Sequence, residues 1–238
     1  MTSMNFKKER DGGFTLLELL IVISIIAILS VALVLVLNPA EALRKSRDAQ
    51  RISDLSTMKT ALGLYLTSTS TPYLGLTNNL PCFLTPGLTA PVTPTKIYYS
   101  SPTSITHTGL MGASAYAAAA VSVGAANLSL TDGTGWIPVN FDSLIGGSPI
   151  SNIPVDPINT LNGNGGTTDG YATGISPASY FYRYACSATP LTFEMNAILE
   201  SSAYTTGADD KRASDGGNNA SFYEVGTNLK ILDAGTDF

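Results

Sequence analysis

The most distinctive hydrophobic pattern in the chain is a nearly unbroken apolar run over residues 14–37. Its only charged residue is Glu18, and its other polar residues are Thr15, Ser24 and Ser30. The run predicts a helix that can span a bilayer, because about 20 apolar residues in a helix cover the hydrocarbon core. An ionisable group inside such a run is costly, so we expect Glu18 to have a partner or a function.

After this run the apolar positions narrow to a single stripe. They recur at spacings of three and four, at Ile52, Leu55, Met58, Leu62 and Leu66. This spacing predicts an amphipathic helix that packs one face on a core. Opposite charges at similar spacings can pair along it, namely Glu41 with Lys45, Arg44 with Asp48, and Arg51 with both Asp48 and Asp54. Asn38 and Pro39 should interrupt the long helix, because proline removes a hydrogen bond and clashes with the preceding turn.

Patterns typical of β-strands come late in the chain. The tyrosines and Cys186 alternate with other residues over 180–186, and residues 191–199 are apolar at odd positions and mostly polar at even ones. Both patterns predict half-buried strands joined as a hairpin. A second hairpin is predicted from residues 221–225 and 229–232. The fold class is therefore predicted to be α+β, with a long N-terminal helix packed on an antiparallel sheet of about four strands.

The middle of the chain, residues 67–179, is rich in Pro, Gly, Ser and Thr and is predicted to be mainly loop. Short helices are predicted in the alanine-rich residues 113–126 and in residues 139–145. The predicted segments are thus a leader at 1–13, the apolar helix at 14–37, the amphipathic helix at 38–66, the loop-rich region at 67–179 and the sheet region at 180–238.

Composition excludes several classes of function. A net charge of −5 argues against a general nucleic-acid-binding surface, which is normally basic. The 44% of hydrophobic residues argue against a disordered chain. His107 is the only histidine, and no HExxH, GxSxG or Walker motif is present, so we expect no enzymatic activity.

The chain contains two cysteines, Cys82 and Cys186, both beyond the apolar run. A disulfide between them is permitted if this part of the protein is extracytoplasmic. Two unpaired buried thiols are the alternative. No CxxC pair indicates zinc or redox chemistry.

The residues before and inside the apolar run form a recognisable signal. A basic leader with Lys7, Lys8 and Arg10 is followed by Gly13-Phe14-Thr15-Leu16, and Glu18 is the fifth residue after Gly13. This arrangement closely resembles the class III signal of type IV prepilins and type II secretion pseudopilins. Ala40-Glu41-Ala42 would fit the cleavage site of a secretory signal peptide. The apolar region of such signals is about 7–15 residues long and holds no acid, whereas the run in this chain is longer and contains Glu18. A plain signal anchor, with Glu18 incidental, is the remaining alternative.

The resemblance implies a processing site and an assembly residue. A prepilin peptidase would cut after Gly13 and methylate the new N-terminus at Phe14. Glu18 would be neutralised by the amine of Phe14 on a neighbouring subunit. The protein would cross the cytoplasmic membrane once, meet the inner-membrane assembly platform, and join a homo-oligomeric helical filament outside the cell. The leader's cytoplasmic location rests on the resemblance, because basic residues also follow the run closely at Arg44, Lys45, Arg47 and Arg51.

The expected function is therefore a structural subunit of a type IV pilus or related filament. One alternative is a pseudopilin of a type II secretion or DNA-uptake system. Another, of a different class, is a monomeric binding or enzymatic domain that uses the helix only as a tether.

An acidic, glycine-containing loop gives one candidate for a cofactor. Asp209, Asp210 and Asp215 lie near Asn218 and Asn219, so several oxygen atoms could converge on Ca²⁺. Major pseudopilins of type II secretion bind calcium in a loop near their C-terminal strands, which the resemblance makes relevant here. A solvated acidic turn is the alternative.

Overall fold

A computed structural model describes residues 13–80, 82, 96–101, 119–121, 123–159 and 179–232. The chain divides into two compact units, one ending at Leu43 and the other beginning at Arg44. The leader up to residue 12, His107 and most of the alanine-rich residues 113–126 lie outside the described residues. We refer to the second unit as the head.

The first helix, α1, spans Leu16–Leu37 and confirms the helix predicted from the apolar run. Residues Leu16–Val34 are long and apolar enough to cross a membrane. None of that span is buried within the protein. The helix ends at Asn38, whose φ of 39° places it in the left-handed region. Asparagine tolerates this conformation better than most residues, because its short side chain bonds locally.

The second helix, α2, spans Pro39–Ser68 and begins immediately after that break. The backbone carbonyl of Asn38 accepts hydrogen bonds from the amides of Glu41 at 3.0 Å and Ala42 at 3.2 Å. Proline is well placed as the first helical residue, since its missing N–H would have no partner there. The predicted interruption of the long helix at residues 38 and 39 is therefore confirmed.

The amphipathic stripe of α2 faces the core of the head, as predicted. Leu55, Met58 and Leu62 are completely buried. Ile52 and Leu66, at the ends of the stripe, are partly buried. Burial of one such side chain is worth about 1.5–3 kcal/mol, so the stripe attaches α2 firmly to the sheet that it covers.

The sheet has five strands in the order β2-β1-β3-β4-β5. Strand β2 runs parallel to β1, and the other neighbours are antiparallel. Four strands thus form an antiparallel set, which confirms the predicted α+β fold with a long N-terminal helical region. The strands are β1 Lys96–Tyr99, β2 Ala119–Val121, β3 Tyr182–Ala188, β4 Leu191–Ala197 and β5 Tyr223–Gly226.

The predicted hairpin of β3 and β4 is confirmed, but the rest of the sheet differs from expectation. Strands β1 and β2 lie in the region predicted to be loop and short helix, so the helix predicted at 113–126 is wrong where the structure describes it. The predicted strand at 229–232 is also wrong. The amides of Ile231 and Leu232 donate to the carboxylate of Glu194 at 2.8 and 2.9 Å, which replaces strand pairing. The short helix predicted at 139–145 is confirmed as a 3-10 turn, Phe141–Ser143.

One face of the sheet is aromatic and packs with α2. Its side chains form a single core with the helix, and they include Tyr98, Tyr182, Tyr184, Phe193 and Met195. The hydroxyl of Tyr182 donates to Asp54 of α2 at 2.8 Å. The hydroxyl of Tyr184 donates to the carbonyl of Leu74 at 2.6 Å. These bonds satisfy polar groups that burial would otherwise penalise.

The opposite face of the sheet is polar and is also buried, so the prediction of half-buried strands is wrong. Successive residues of a strand point to opposite faces. Arg183, Glu194, Asn196 and Glu224 are at most 3% exposed. The cover includes Phe222, Ile231 and Leu232 from the C-terminal part of the chain, which are also buried. The head therefore has a second, polar buried layer.

Candidate processing and assembly site

The Gly13–Phe14 bond lies outside the helix. Gly13, Phe14 and Thr15 have no helical assignment, and α1 begins at Leu16. Phe14 is 82% exposed. A Cβ atom added to Gly13 would meet nothing within 4 Å. Among the described residues, nothing crowds the Gly13–Phe14 bond, and no packing contact requires glycine at position 13.

Thr15 and Glu18 form a reciprocal cap at the start of α1. The hydroxyl of Thr15 accepts from the amide of Glu18 at 3.2 Å. In return, Oε2 of Glu18 accepts from the amide of Thr15 at 2.9 Å and from its hydroxyl at 2.8 Å. Such a capping box satisfies two amides that the first turn leaves without helical partners. It also holds the carboxylate near Phe14.

The rest of the α1 surface is apolar. The hydroxyl groups of Ser24 and Ser30 each donate at 2.7 Å to a carbonyl in the preceding turn, at Leu20 and Ile26. Both serines thereby satisfy their donors within the helix. Because Glu18 is the only charged residue on α1, the helix suits either lipid or a bundle of equally apolar helices.

Cys82 and Cys186 form a disulfide in the structure. Both residues are almost completely buried, and Cys186 belongs to β3. The sequence left open whether these thiols pair. The bond closes a loop with a sequence separation of 104 residues.

The three aspartates considered for calcium are not gathered at one point. Asp210 pairs with Arg212 at 2.8 Å. Asp215 accepts from the amides of Gly217 and Glu224, both at 2.8 Å. Over the described ranges, no group of three or more His, Cys, Asp or Glu side chains could hold a metal ion. Calcium binding at Asp209, Asp210 and Asp215 stays a prediction that these contacts do not test.

Sequence reasoning missed a buried ion network at the base of the head. Arg51 of α2 is completely buried and pairs with Asp48, Asp156 and Glu200 at 2.7, 2.6 and 2.7 Å. Arg47 adds two 2.6 Å hydrogen bonds to Glu200. The pairing of Asp48 with Arg51 was predicted from their spacing. The other two carboxylates come from distant segments that no local pattern connects to α2.

Hydrogen bonds keep Arg51 charged despite its burial. Burial alone lowers the pKa of Arg51. The hydrogen bonds to Asp156, Glu200 and Asp48 and the charge of Asp156 raise the pKa by a larger amount, so the net shift is upward. The guanidinium also lies 4.7 Å from the ring centroid of Tyr180. Because Asp156 and Glu200 come from two segments distant from α2, the network fixes α2 against the loops beside the sheet.

Comparison of this chain with known proteins and protein families gives one match, at the N-terminus. No curated protein and no solved structure matches the chain. Residues 9–34 match a family described as the prokaryotic N-terminal methylation motif. They include Gly13, Phe14 and Glu18 and most of α1. The N-terminal part of this chain therefore carries the prepilin-type N-terminal methylation motif, and the span Leu16–Val34, which is long and apolar enough to cross a membrane, lies within it.

Proposed function

We propose that this protein is a structural subunit of a type IV pilus or a related filament. Prepilin peptidase would cleave it after Gly13 and methylate Phe14, and the assembly platform of the cytoplasmic membrane would then add it to the filament. The observation that carries the proposal is the methylation motif at residues 9–34. It stands at the start of a helix that buries none of its apolar span within the chain.

The exposed apolar surface of α1 restricts the environments that the helix can occupy. Ile21, Ile28 and Val36 are 49%, 70% and 82% exposed, and they lie along the whole length of the helix. Apolar side chains gain about 1.5–3 kcal/mol each when they leave water. In the membrane, lipid covers them. A subunit that leaves the membrane needs an equally apolar environment, and packed copies of α1 would supply one.

Glu18 would set the position of each subunit against the next. Both hydrogen bonds from Thr15 fall on Oε2, so Oε1 receives neither of them. A buried carboxylate without a countercharge is strongly unfavourable. Cleavage after Gly13 would create a positive amine on Phe14 at a comparable depth. Pairing of this amine with Glu18 of a neighbour would make processing a condition for assembly.

The head would form the outer surface of the filament. The same features fit a pseudopilin of a secretion or DNA-uptake system, in which the filament is short. A tethered monomeric domain is the alternative from a different class. The motif is typical of structural subunits, and a tether alone needs neither the cleavable Gly13–Phe14 bond nor Glu18.

Processing is tested by the mass of the N-terminal peptide of the membrane protein. We expect the mature chain to begin at a methylated Phe14. A Gly13→Arg variant should keep the full leader, because a bulky charged residue at the bond would block the peptidase. Gly13→Ala is the matched control with a small residue and should still be processed. A mature mass from Gly13→Arg, or a wild-type chain that starts at Met1, would contradict the proposal.

Assembly is tested by the filament yield of a Glu18→Val strain, measured by electron microscopy of sheared fractions. Insertion and cleavage should persist, whereas filaments should be lost. Ser30→Val is the control, because it removes a polar group from α1 without removing the charge. Wild-type yields from Glu18→Val would reject the pairing mechanism. A wild-type strain with neither cleavage nor filaments would favour the tethered domain.

A further inference from the structure

Two glutamates lie together in the polar layer of the head. Glu194 on β4 and Glu224 on β5 are 0% and 1% exposed. Their strands pair with Glu194 opposite Gly226 and Asn196 opposite Glu224, so the two glutamates lie diagonally on one face of the sheet. The two carboxyl groups are close enough for a hydrogen bond to form between them if one of them is protonated. The pair is unrelated to the processing site and has no part in the function proposed above.

Only one oxygen atom of each carboxyl group accepts hydrogen bonds from the described residues. Oε2 of Glu194 accepts from the amides of Ile231 and Leu232, and Oε2 of Glu224 accepts from the amide of Asn219 at 2.9 Å. The two Oε1 atoms are buried, and no donor among the described residues reaches either of them. A carboxylate can only accept hydrogen bonds, so two ionised groups could not bond to each other. One proton held between them would satisfy both atoms.

The surrounding charges favour one proton rather than none or two. Arg183 of β3 is fully buried on the same face, donates to Asn196 at 2.8 Å, and stacks 4.1 Å from the ring centroid of Phe222. One positive guanidinium balances one carboxylate. A second ionised carboxylate would be an uncompensated buried charge, which is costly. The remaining nearby carboxylate, Asp215, lies on the loop side and adds further negative charge.

We propose that Glu194 and Glu224 form a proton-binding site that holds the C-terminal segment, residues 219–232, on the sheet. The bound proton keeps the layer electrically neutral, and its loss at alkaline pH releases the segment. The segment is the natural part to move, because the amides of Asn219, Ile231 and Leu232 all bond to the pair. Gly217 is also required, since any Cβ there would collide with the carboxylate of Glu224.

The direction of the pH dependence follows from the pKa shifts. Burial, and then the hydrogen bond with Glu224, raises the pKa of Glu194 from 4.5 to about 9. Burial also raises the pKa of Glu224. The folded state therefore holds a proton that the unfolded chain has already lost. The stabilisation is complete below pH 4.5, declines as the pH rises, and is gone once the pH has passed about 9.

The test is equilibrium unfolding of the full chain in detergent micelles at several pH values between about 6 and 9. If the folded state retains one proton that the unfolded chain has lost, each unit of rise in pH lowers the folding equilibrium constant by up to about tenfold. Glu194→Gln should remove this slope, because an amide can donate to Glu224 as the protonated acid does. Glu200→Gln is the control. It removes a carboxyl whose net pKa shift is downward, so the slope should persist. A slope unchanged in Glu194→Gln would overturn the proposal.

Two further measurements guard against a variant that fails to fold. Infrared spectroscopy of the wild-type protein at pH 7 should show a protonated carboxyl that disappears in alkali, and its absence at pH 7 would reject the site. Hydrogen exchange, corrected for intrinsic rates, should show loss of protection in residues 219–232 before the rest of the head. Loss of protection throughout the head at once would overturn the release. So would chelator-sensitive stability, because it would place a metal ion, not a proton, between the two glutamates.

Discussion

In the two consecutive helices at the start of this chain, hydrophobicity and burial are related in opposite ways. Helix α1 is almost wholly apolar, yet none of its membrane-length span is buried within the protein. Helix α2 carries many charges, yet it buries Leu55, Met58 and Leu62 and even a complete arginine, Arg51. Burial within the chain thus follows the stripe and its partner rather than average hydrophobicity. An apolar helix without a stripe suits a membrane, where lipid surrounds the helix on every side.

The largest effect on this contrast should come from Arg51→Met. The substitution would leave Asp48, Asp156 and Glu200 buried without their shared cation, and breaking a buried ion pair costs about 3–5 kcal/mol. Urea unfolding of the head, followed by tryptophan fluorescence, measures the loss. Lys59→Met, at an exposed position of the same helix, should change stability by less than about 0.5 kcal/mol. Equal effects would show that the network does not hold α2.

Loss of the disulfide should have the next largest effect. It should destabilise the head without changing α1. Cys82→Ser with Cys186→Ser should lower the stability of the head by about 2–4 kcal/mol, because the unfolded chain gains freedom. The helicity of α1 should not change. Thiol alkylation under non-reducing conditions tests the bond itself. Labelling of both cysteines in native oxidised protein would be evidence against the bridge.

Matched deletions in the two helices test the comparison most directly. Leu62→Ala creates a cavity in the core and should cost about 2–5 kcal/mol. Ile28→Ala removes the same number of side-chain carbons from α1, where the residue is 70% exposed, and should leave the stability of the head within about 0.5 kcal/mol. Thermal unfolding in detergent measures both. A loss from Ile28→Ala comparable to that from Leu62→Ala would mean that α1 packs on the head.

The smallest expected effect is at the cap of α1. Thr15→Ala removes the hydroxyl that accepts from the amide of Glu18 and should destabilise the first turn by about 1 kcal/mol. Hydrogen exchange of amides 16–19 in micelles should detect the fraying. Thr15→Ser keeps the hydroxyl and should restore protection. Unchanged exchange in Thr15→Ala would show that the cap contributes nothing in the membrane.

Local patterns were sufficient to predict the helices and strands whose apolar residues follow a regular spacing. The length of α1, the stripe of α2 and the alternation in β3 and β4 all follow from the spacing of apolar residues. The break at Asn38 and Pro39 follows from proline chemistry. The methylation motif that contains Gly13 and Phe14 was predicted from local sequence, which needs no tertiary structure.

The parts that failed depend on contacts between distant residues. Residues 229–232 look like a strand, but the amides of Ile231 and Leu232 bond to Glu194, which is far away in sequence. Strand β1 has four residues among many prolines, too few to show a clear period. The even positions of β4 are polar, which suggested solvent, but the C-terminal segment covers them. The partners of Arg51 were missed for the same reason, since Asp156 is 105 residues away.

The bond between Asp215 and the amide of Glu224 bears on how crowded copies of this protein stay apart. Strand β5 lies at one edge of the sheet, and an open edge invites a strand from another molecule. The carboxylate of Asp215 occupies the amide of Glu224 at 2.8 Å and adds a charge beside it. At this edge, Asp215 takes up a backbone donor that a strand from another molecule would need, and this disfavours strand pairing between heads.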